Sequence, residues 1–385
     1  MKNHTYRTWA EIDLDALKNN IRNIKKHVGE KTKVTAVVKA DAYGHGAVVV
    51  AKTLLENGAD CLGVAFIDEA EQIRNAGINC PVLLLGYTAE ADIKRVIDMD
   101  ITPTVFQLQS AKKISEQAKK AGKIIKVHIK IDSGMNRIGF LCNQQSAEEI
   151  MEISSLENLE IEGIFTHFSC ADEASREYTD AQAAKFMDFI NKLEKNGIKI
   201  PIKHACNSAG IVQFPEYHFD MVRAGIITYG MSPSEYVDIS PLELKPALML
   251  KSMVSRVQTI PAGEKISYGG TYVTEKPIKA AAISIGYADG YLRVLSGKAD
   301  VLVNGQPAKV VGRICMDQCI IDVTNVNNIK VEDEVIVAGG PPESPVSFDR
   351  LASLAGTINY ELFCLIGKRV PRIYLKDGVL LDLEN

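Results

Sequence analysis

The chain has 385 residues, enough for about two or three domains and at least one full hydrophobic core. Its 44 Lys and Arg against 48 Asp and Glu give a formal net charge of −4, which argues against a nucleic-acid partner. No apolar run approaches the ~18 residues of a membrane span, and the first residues do not resemble a signal peptide, so we expect a soluble, cytoplasmic protein with no membrane partner. The eight cysteines are scattered and do not resemble a disulfide framework, so we expect reduced thiols.

Short β-rich runs alternate with helical patterns over the first two thirds of the chain. There are eight such runs, at 34–39, 60–66, 81–86, 101–106, 124–132, 160–168, 202–207 and 220–226. Residues 108–122, for example, have apolar side chains at helical spacing, with Gly122 as a plausible C-cap. The alternation predicts a (β/α)₈ TIM-type barrel. A doubly wound open sheet is less favoured, because no Gly-x-Gly-x-x-Gly turn follows the first strand.

The pattern changes after about Ser240. Asn304-Gly305 and Asp377-Gly378 each separate two β-rich runs, as expected for two-residue hairpins, while helical patterns become rare. A Ser- and Pro-rich stretch at 232–246 marks the boundary. We therefore predict a barrel over 1–240 and a mainly β domain over 241–385, and allow the first ~10 residues to pack with the β domain.

Reactive side chains fall where the barrel strands end. They are Lys39, Arg137, His167, Asn207-Ser208 and Arg223. In a barrel, the carboxyl ends of the strands form the active face, so this coincidence predicts an active site. For Lys39, a solvated strand-end lysine is the favoured interpretation from position alone, and an amine with a lowered pKa that can form a Schiff base is the alternative.

The run at 124–132 alternates polar and apolar residues. Lys126, His128, Lys130 and Asp132 share one face, which we expect to point into the barrel. A buried Lys130 is costly unless it is paired or modified. Pairing with Asp132 or another carboxylate is the favoured interpretation.

A zinc hydrolase is a further alternative. His167, Cys170, His204 and Cys206 lie near neighbouring strand ends, but their spacing matches no zinc motif, and buried cysteines are common core residues. Cys315 and Cys319 are expected to lie on one strand. We therefore predict no metal.

Nine stretches in order along the chain resemble the alanine racemase family, whose members use pyridoxal 5'-phosphate and consist of a barrel and a β domain. They are AVVKADAYGHGA (36–47), KIDSGMNRIGF (130–140), FTHFS (165–169), CNSAG (206–210), MVRAGI (221–226), ISYGG (266–270), GYADGY (286–291), GRICMDQ (312–318) and TINYE (357–361). The resemblance covers essentially the whole chain.

The resemblance implies a role for each candidate catalytic residue. Lys39 would carry the cofactor as an internal Schiff base and, once displaced, would act as a base beside the substrate α-carbon. Tyr268 would be the second base, supplied to the site by the other subunit of a homodimer. His167 would hydrogen-bond that tyrosine, and Arg223 would donate to the pyridine nitrogen of the cofactor.

The resemblance also implies the binding residues. The cofactor phosphate would contact Tyr43, Ser208, Gly225, Ile226 and Tyr360. Ser208 is also expected to be a plain helix cap, a role compatible with phosphate binding. The substrate carboxylate would meet Arg137 and the backbone near Met316, while Tyr287 and Asp317 would help to shape the entrance from the partner subunit. The resemblance further suggests carbamylation of Lys130, which would allow it to pair with Arg137.

Together these features predict a homodimeric racemase that interconverts L- and D-alanine and supplies D-alanine for peptidoglycan. Tyr360 should narrow the pocket beside a methyl-sized side chain, which favours alanine over serine or a broader amino-acid range. A non-catalytic barrel that binds pyridoxal phosphate is disfavoured because it would lack the β domain and the second base. Amino-acid decarboxylases share the two-domain plan, but the motifs match racemases.

Overall fold

The computed structural model describes residues 6–381 and separates the chain into two units. The first unit consists of residues 17–42 and 46–244. The second consists of 43–45 and, as far as they are described, 1–16 and 245–385. The short internal segment 43–45 belongs to the same unit as the C-terminal part of the chain. No sequence pattern indicated this assignment of the segment. The first elements in the described part of the chain are strand β1 (Thr8–Asp13) and helix α1 (Leu14–Val28).

The first unit is a parallel barrel, as predicted. Its strands are β2 (Lys33–Val37), β3 (Cys61–Val64), β4 (Val82–Leu84), β5 (Thr102–Val105), β6 (Ile125–Asp132), β8 (Leu159–Phe165), β9 (Ile202–His204) and β10 (Met221–Ala224), with the short β7 (Phe140–Leu141) beside β6. They form one sheet in the order β10-β2-β3-β4-β5-β6-β8-β9. Backbone hydrogen bonds from Asp220 to Lys203 (3.1 Å) and from Arg223 to Cys206 (3.0 Å) join its two ends.

Helices follow the strands along the chain. They are α2 (Lys39–Gly44), α3 (Ala47–Leu55), α4 (Ile67–Asn75), α5 (Ile93–Asp98), α6 (Leu108–Ala121), α7 (Gln144–Ser154), α8 (Glu177–Lys195) and α9 (Ser208–Gln213). In α6 the apolar positions Ala111, Ile114 and Ala118 are buried, and Gly122 ends the helix with φ 64°. The predicted amphipathic helix and its glycine C-cap are therefore confirmed.

The second unit is mainly antiparallel. Its further strands are β11 (Leu248–Ile260), β12 (Lys265–Ile266), β13 (Tyr272–Val273), β14 (Ile278–Ile283), β15 (Asp300–Val303), β16 (Gln306–Val311), β17 (Cys319–Asp322), β18 (Glu334–Ala338), β19 (Arg372–Lys376) and β20 (Val379–Leu380). The sheet order is β14-β17-β16-β15-β18-β11-β1-β19-β20, and β14 also pairs with β11, which closes a β-barrel. Two short helices, α10 (Phe348–Ala355) and α11 (Asn359–Cys364), complete the unit.

Both predicted hairpins are present. Asn304 (φ 52°) and Gly305 (φ 74°) turn the chain between β15 and β16, and Asp377 (φ 52°) and Gly378 (φ 70°) turn it between β19 and β20. Positive φ at both central residues is the backbone that such tight turns require.

The structure corrects the predicted location of one cysteine. Cys319 begins β17, but Cys315 lies in the preceding loop, so the expectation that both lie on a strand is wrong for Cys315. Its backbone N–H donates to the carbonyl of Gln318 at 2.9 Å, a turn that interrupts any extended run. All eight cysteines are free thiols.

Candidate active site

Arg223 is a buried candidate residue that hydrogen-bonds several groups at the ends of the barrel strands. It is 3% exposed, near the end of β10. Its Nη1 donates to Nδ1 of His204 at 2.7 Å, and its Nη2 donates to the carbonyls of Thr166 (2.9 Å) and Ala205 (2.7 Å) and to Nδ1 of His167 (3.2 Å). All four acceptors are neutral groups. Each accepts from Nη1 or Nη2 of Arg223, and none of them accepts from its Nε. Burial lowers the pKa of Arg223 to about 10, so the guanidinium remains a cation at neutral pH.

His167 is the predicted neighbour of Arg223. Burial, and then the positive charge of Arg223, hold the pKa of His167 well below its usual value, so its imidazole is neutral. Because Nδ1 accepts from Arg223, the proton of the ring is on Nε2. The structure therefore brings these two residues together and leaves His167 with one N–H to donate.

Two other histidines extend this arrangement. No sequence pattern predicted a catalytic role for His128, and His204 was considered only as a candidate zinc ligand. His204 and His128 face each other with Nε2 and Nδ1 2.9 Å apart, and Nε2 of His128 lies 3.4 Å from Glu162. Both ring nitrogens of His204 are thus used by protein contacts. The described part of the chain contains no group of three or more His, Cys, Asp or Glu side chains placed to hold a metal ion.

Lys130 is buried in β6, as the alternation predicted, whereas Lys126, expected on the same face, is exposed. Lys130 does not pair with Asp132. Its Nζ donates to the carbonyl of Ile131 at 2.8 Å and lies 5.3 Å from the ring centre of Phe165. Burial and then Arg223 lower the pKa of Lys130 to about 7. The expected pairing is wrong because the carboxylate of Asp132 is occupied by backbone donors.

Those donors belong to the loop that carries Arg137. The carboxylate of Asp132 accepts from the N–H groups of Gly134 (2.9 Å), Asn136 (3.0 Å) and Arg137 (3.1 Å). A Cβ on Gly139 would lie 2.5 Å from the backbone nitrogen of Asp132, so only glycine fits there. The loop is thereby anchored, while the Arg137 side chain remains exposed.

A left-handed turn follows Lys39. Ala40, Asp41, Ala42 and Tyr43 have φ of 51–53°, so α2 winds left-handed, a conformation that costs roughly 1–2 kcal/mol per residue. The N–H of Ala42 donates to the carbonyl of Val38 at 2.9 Å, and the N–H of Ala40 donates to the Glu69 carboxylate at 2.7 Å. Lys39 thus begins a strained segment of the kind found at functional sites. No side-chain pattern indicates this turn, apart from the nearby glycines.

Ser208 and Gly225 are in contact, as two residues with the same implied role should be. The Oγ of Ser208 accepts from the N–H of Gly225 at 3.0 Å, and Ile226 begins a short 3₁₀ helix. The expectation that Ser208 is a helix cap is wrong. Asn207 is the N-cap of α9, and its Oδ1 accepts from the N–H of Gly210 at 3.0 Å.

In the second unit, Tyr43 and Tyr360 are neighbours with ring centres 6.0 Å apart. Burial, and then Cys364, raise the pKa of Tyr43, so its hydroxyl stays protonated and can donate. The segment of Tyr43 is held in part by Arg372, whose Nε donates to the carbonyl of Gly44 at 2.9 Å.

The remaining candidates of the second unit have exposed side chains. Tyr268 is 72% exposed, Met316 52% and Tyr287 41%. The loop of Tyr268 is fixed by Ser267, which has φ 62° and donates from Oγ to the carbonyl of Arg313 at 2.6 Å.

The backbone near Tyr287 and Met316 is joined directly. The N–H of Tyr287 donates to the carbonyl of Cys315 at 3.0 Å, and the N–H of Ala288 to that of Met316 at 3.1 Å. A Cβ on Gly286 would lie 2.2 Å from the Cys315 carbonyl, so this close approach requires glycine. Of the candidate residues, the structure therefore groups Tyr287 with Met316 and Asp317.

Two family models match this chain in succession. Residues 12–233 match the alanine racemase N-terminal domain, and residues 247–374 match the alanine racemase C-terminal domain. The chain belongs to the alanine racemase family. The match covers both units and confirms the resemblance expected from the motifs.

Individual alanine racemases are similar to this chain over nearly its full length. One from Methanococcus maripaludis is 52% identical over 367 residues, which are 95% of this chain and 98% of that protein. One from Clostridium perfringens is 51% identical over 379 residues, 98% and 97% of the two chains. The structure of alanine racemase from Clostridium difficile 630 matches with a TM-score of 0.95 at 46% identity and covers 99% of this chain and 98% of that one.

The activity of the chain is alanine racemisation, an isomerase reaction. This finding favours the predicted racemase over a decarboxylase, a non-catalytic barrel protein and a zinc hydrolase. No helix within residues 6–381 is both long enough and apolar enough to cross a membrane.

Proposed function

We propose that this chain interconverts L- and D-alanine with pyridoxal 5'-phosphate, the cofactor of its family, and with two protein bases on opposite faces of the substrate. The observation that carries the proposal is the setting of Arg223. A buried guanidinium whose orientation is fixed by four neutral acceptors, with Nε free of them, suits a neutral ring nitrogen. Arginine does not release its proton in a protein, so a ring nitrogen that accepts from it stays unprotonated.

Other residues are proposed to hold the phosphate of the same group. Ser208 begins α9, its Oγ accepts from the N–H of Gly225 at 3.0 Å, and Ile226 follows Gly225 directly. Tyr43, with a protonated hydroxyl, and Tyr360 are the other proposed phosphate contacts. When bound, pyridoxal phosphate withdraws electrons from the α-carbon of the amino acid and so makes its hydrogen acidic.

Lys39 and Tyr268 are the proposed bases. The amine of Lys39 removes or returns the α-proton on one face, and the hydroxyl of Tyr268 of the partner subunit does so on the other. The 72% exposure of Tyr268 supports this role, because a side chain offered to a second subunit must be accessible in the single chain. A homodimer with shared sites follows. His167, a neutral ring with its proton on Nε2, is the proposed hydrogen-bond donor to that tyrosine.

The substrate carboxylate is the proposed ligand of Arg137 and of the backbone at Met316. The exposed Arg137 is presented by a loop that the carboxylate of Asp132 anchors, so its position is set although its side chain is not buried. Tyr287 and Asp317 are the proposed entrance residues. We also propose that Lys130 is carbamylated. A lysine with a pKa of about 7 has a neutral fraction whose nitrogen can form a bond to the carbon of carbon dioxide and release one N–H proton to solvent. The resulting carbamate is an anion that can pair with Arg137.

The test is a spectroscopic and chemical assay of the purified protein. The holoenzyme should absorb visible light and convert L-alanine to D-alanine, the precursor required for peptidoglycan, without any other cofactor. Lys39→Ala should lose the visible absorption and the activity together, because one amine performs both roles. A Lys39→Ala protein that keeps either property would contradict the assignment.

A further inference from the structure

A continuous chain of hydrogen bonds connects Arg223 to a carboxylate at the surface of the barrel. Nη1 of Arg223 lies 2.7 Å from Nδ1 of His204, and Nε2 of His204 lies 2.9 Å from Nδ1 of His128. The last and longest contact is 3.4 Å, from Nε2 of His128 to Oε2 of Glu162. Both rings are buried, whereas the Glu162 side chain is 24% exposed.

Arg223 and Glu162, at the two ends of this hydrogen-bond chain, fix the direction of every hydrogen bond in it. Arginine only donates, so Nδ1 of His204 accepts and its proton is on Nε2. That proton is donated to Nδ1 of His128, whose own proton must then be on Nε2, facing Glu162. The hydrogen bond from His128, and then that from Lys126, lower the pKa of Glu162 to about 2, so this carboxylate is ionised and only accepts. Burial lowers the pKa of both histidines, and both rings are neutral.

Three residues of strand β8 contribute to this hydrogen-bond chain or make room for it. A Cβ on Gly163 would lie 2.6 Å from Cε1 of His128, so only glycine leaves room for the ring. Phe165 stacks on His204 with ring centres 4.6 Å apart and an interplanar angle of 8°. Glu162 lies on the same strand. One strand therefore supplies the carboxylate, the space and the stacking surface.

We propose that Glu162, acting through His128 and His204, is a positioning residue for Arg223. The proposal rests on the proposed function, in which Arg223 serves the cofactor ring. Hydrogen bonds in a chain polarise one another, so an anion at one end strengthens each bond up to the guanidinium. The negative charge makes His128, and in turn His204, a better acceptor. The hydrogen bond from Nη1 to His204 thereby holds the guanidinium of Arg223 in place, so the N–H groups on Nη2 and Nε keep a fixed direction.

The first test needs no variant. In the ¹⁵N-histidine-labelled holoenzyme, NMR should find His128 and His204 neutral, with protons on Nε2 and none on Nδ1, between about pH 6 and 9. A proton on Nδ1 of either ring, or a charged ring, overturns the proposal. Visible absorption and racemisation are measured on the same sample. If these are missing while the tautomers are as stated, the proposed function fails and the hydrogen-bond chain stands.

The second test removes the charge. Glu162→Gln keeps the shape but should shift the ¹⁵N resonances of both rings and lower kcat about two- to tenfold, with the KM for alanine nearly unchanged. The matched control is Glu160→Gln, which removes the same charge from an exposed position two residues earlier on β8. This control should move neither the resonances nor kcat. If the two variants behave alike, Glu162 has no special role and the proposal is wrong.

Discussion

Arg369 and Asp289 form an ion pair in the second unit, with Nε of the arginine donating to the carboxylate at 2.8 Å. The Asp289 side chain has no exposed surface, and it also accepts from Arg7 at 2.8 Å and from the N–H of Gly286 at 3.0 Å. Nη2 of Arg369 in turn donates to Asp317 at 2.7 Å. The buried carboxylate of Asp289 thus connects Arg7 and Arg369, which are distant in sequence, and Arg369 extends the connection to Asp317, next to the proposed substrate contact at Met316.

Asp289→Asn should therefore destabilise the protein and weaken substrate binding. The amide leaves Arg7 and Arg369 without their anion, and because both arginines are partly exposed the unfolding free energy should fall by about 1–3 kcal/mol. Urea denaturation and the KM for alanine measure the two effects. The control is Asp317→Asn, which removes an exposed partner of the same arginine and should cost less than about 1 kcal/mol. Equal destabilisation by the two variants would contradict the role of Asp289.

Lys130 should give the protein a characteristic pH dependence. Its pKa is lowered from 10.5 to about 7 in the folded chain. Between these values the unfolded chain binds more protons than the folded chain, so in buffer free of carbon dioxide the unfolding free energy should increase with pH, by at most about 1.4 kcal/mol per pH unit.

Lys130→Met is the matched control for that slope, because it removes the titrating amine and keeps a long side chain. The variant should be less dependent on pH than the wild type over the same range. Added bicarbonate should flatten the wild-type curve if the amine is carbamylated, and it should leave the variant unchanged. Identical slopes for wild type and variant in the absence of carbon dioxide would show that Lys130 does not titrate as described.

Gly163→Ala tests the space around His128. The added methyl group would meet the imidazole at 2.6 Å and should destabilise the protein by about 1–3 kcal/mol, since the backbone of β8 cannot move freely within a sheet. In a His128→Ala background the ring is absent, so the same substitution should cost much less. A double-mutant cycle by thermal or urea unfolding measures the difference. Equal costs in the two backgrounds would mean that the ring and residue 163 do not compete for the space.

Arg137→Met should raise the KM for alanine about ten- to a hundredfold, because it removes charge-assisted hydrogen bonds to the carboxylate. The side chain is exposed, so the unfolding free energy should hardly change. The visible absorption of the bound cofactor should also remain. Loss of the cofactor with an unchanged KM would assign Arg137 to cofactor binding instead.

The strand pattern was readable from the sequence for physical reasons. Barrel strands are buried on both faces and appear as short apolar runs, and Asn304-Gly305 and Asp377-Gly378 turn where two-residue hairpins favour such pairs. Functional side chains at strand ends follow from the barrel, which explains why His167 and Arg223 were found and lie together.

Other features depend on tertiary contacts that no local pattern contains. The chain through His128 forms where the register of β6 against β8 shifts between Val127 and His128, and it needs a glycine on the neighbouring strand. Asp289 is paired with arginines 282 and 80 residues away in sequence. The left-handed turn after Lys39 uses residues such as Ala40 and Ala42, which intrinsically favour right-handed backbone.

Mixing two inactive variants tests the shared active site most directly. Lys39→Ala and Tyr268→Ala homodimers each lack one base of every site and should be nearly inactive. When their subunits exchange, a mixed dimer has one site with both bases and one with neither, so random pairing should restore about a quarter of the wild-type activity. A tagged subunit confirms that exchange occurs. Mixed samples that exchange fully but stay as inactive as the separate variants would contradict the account.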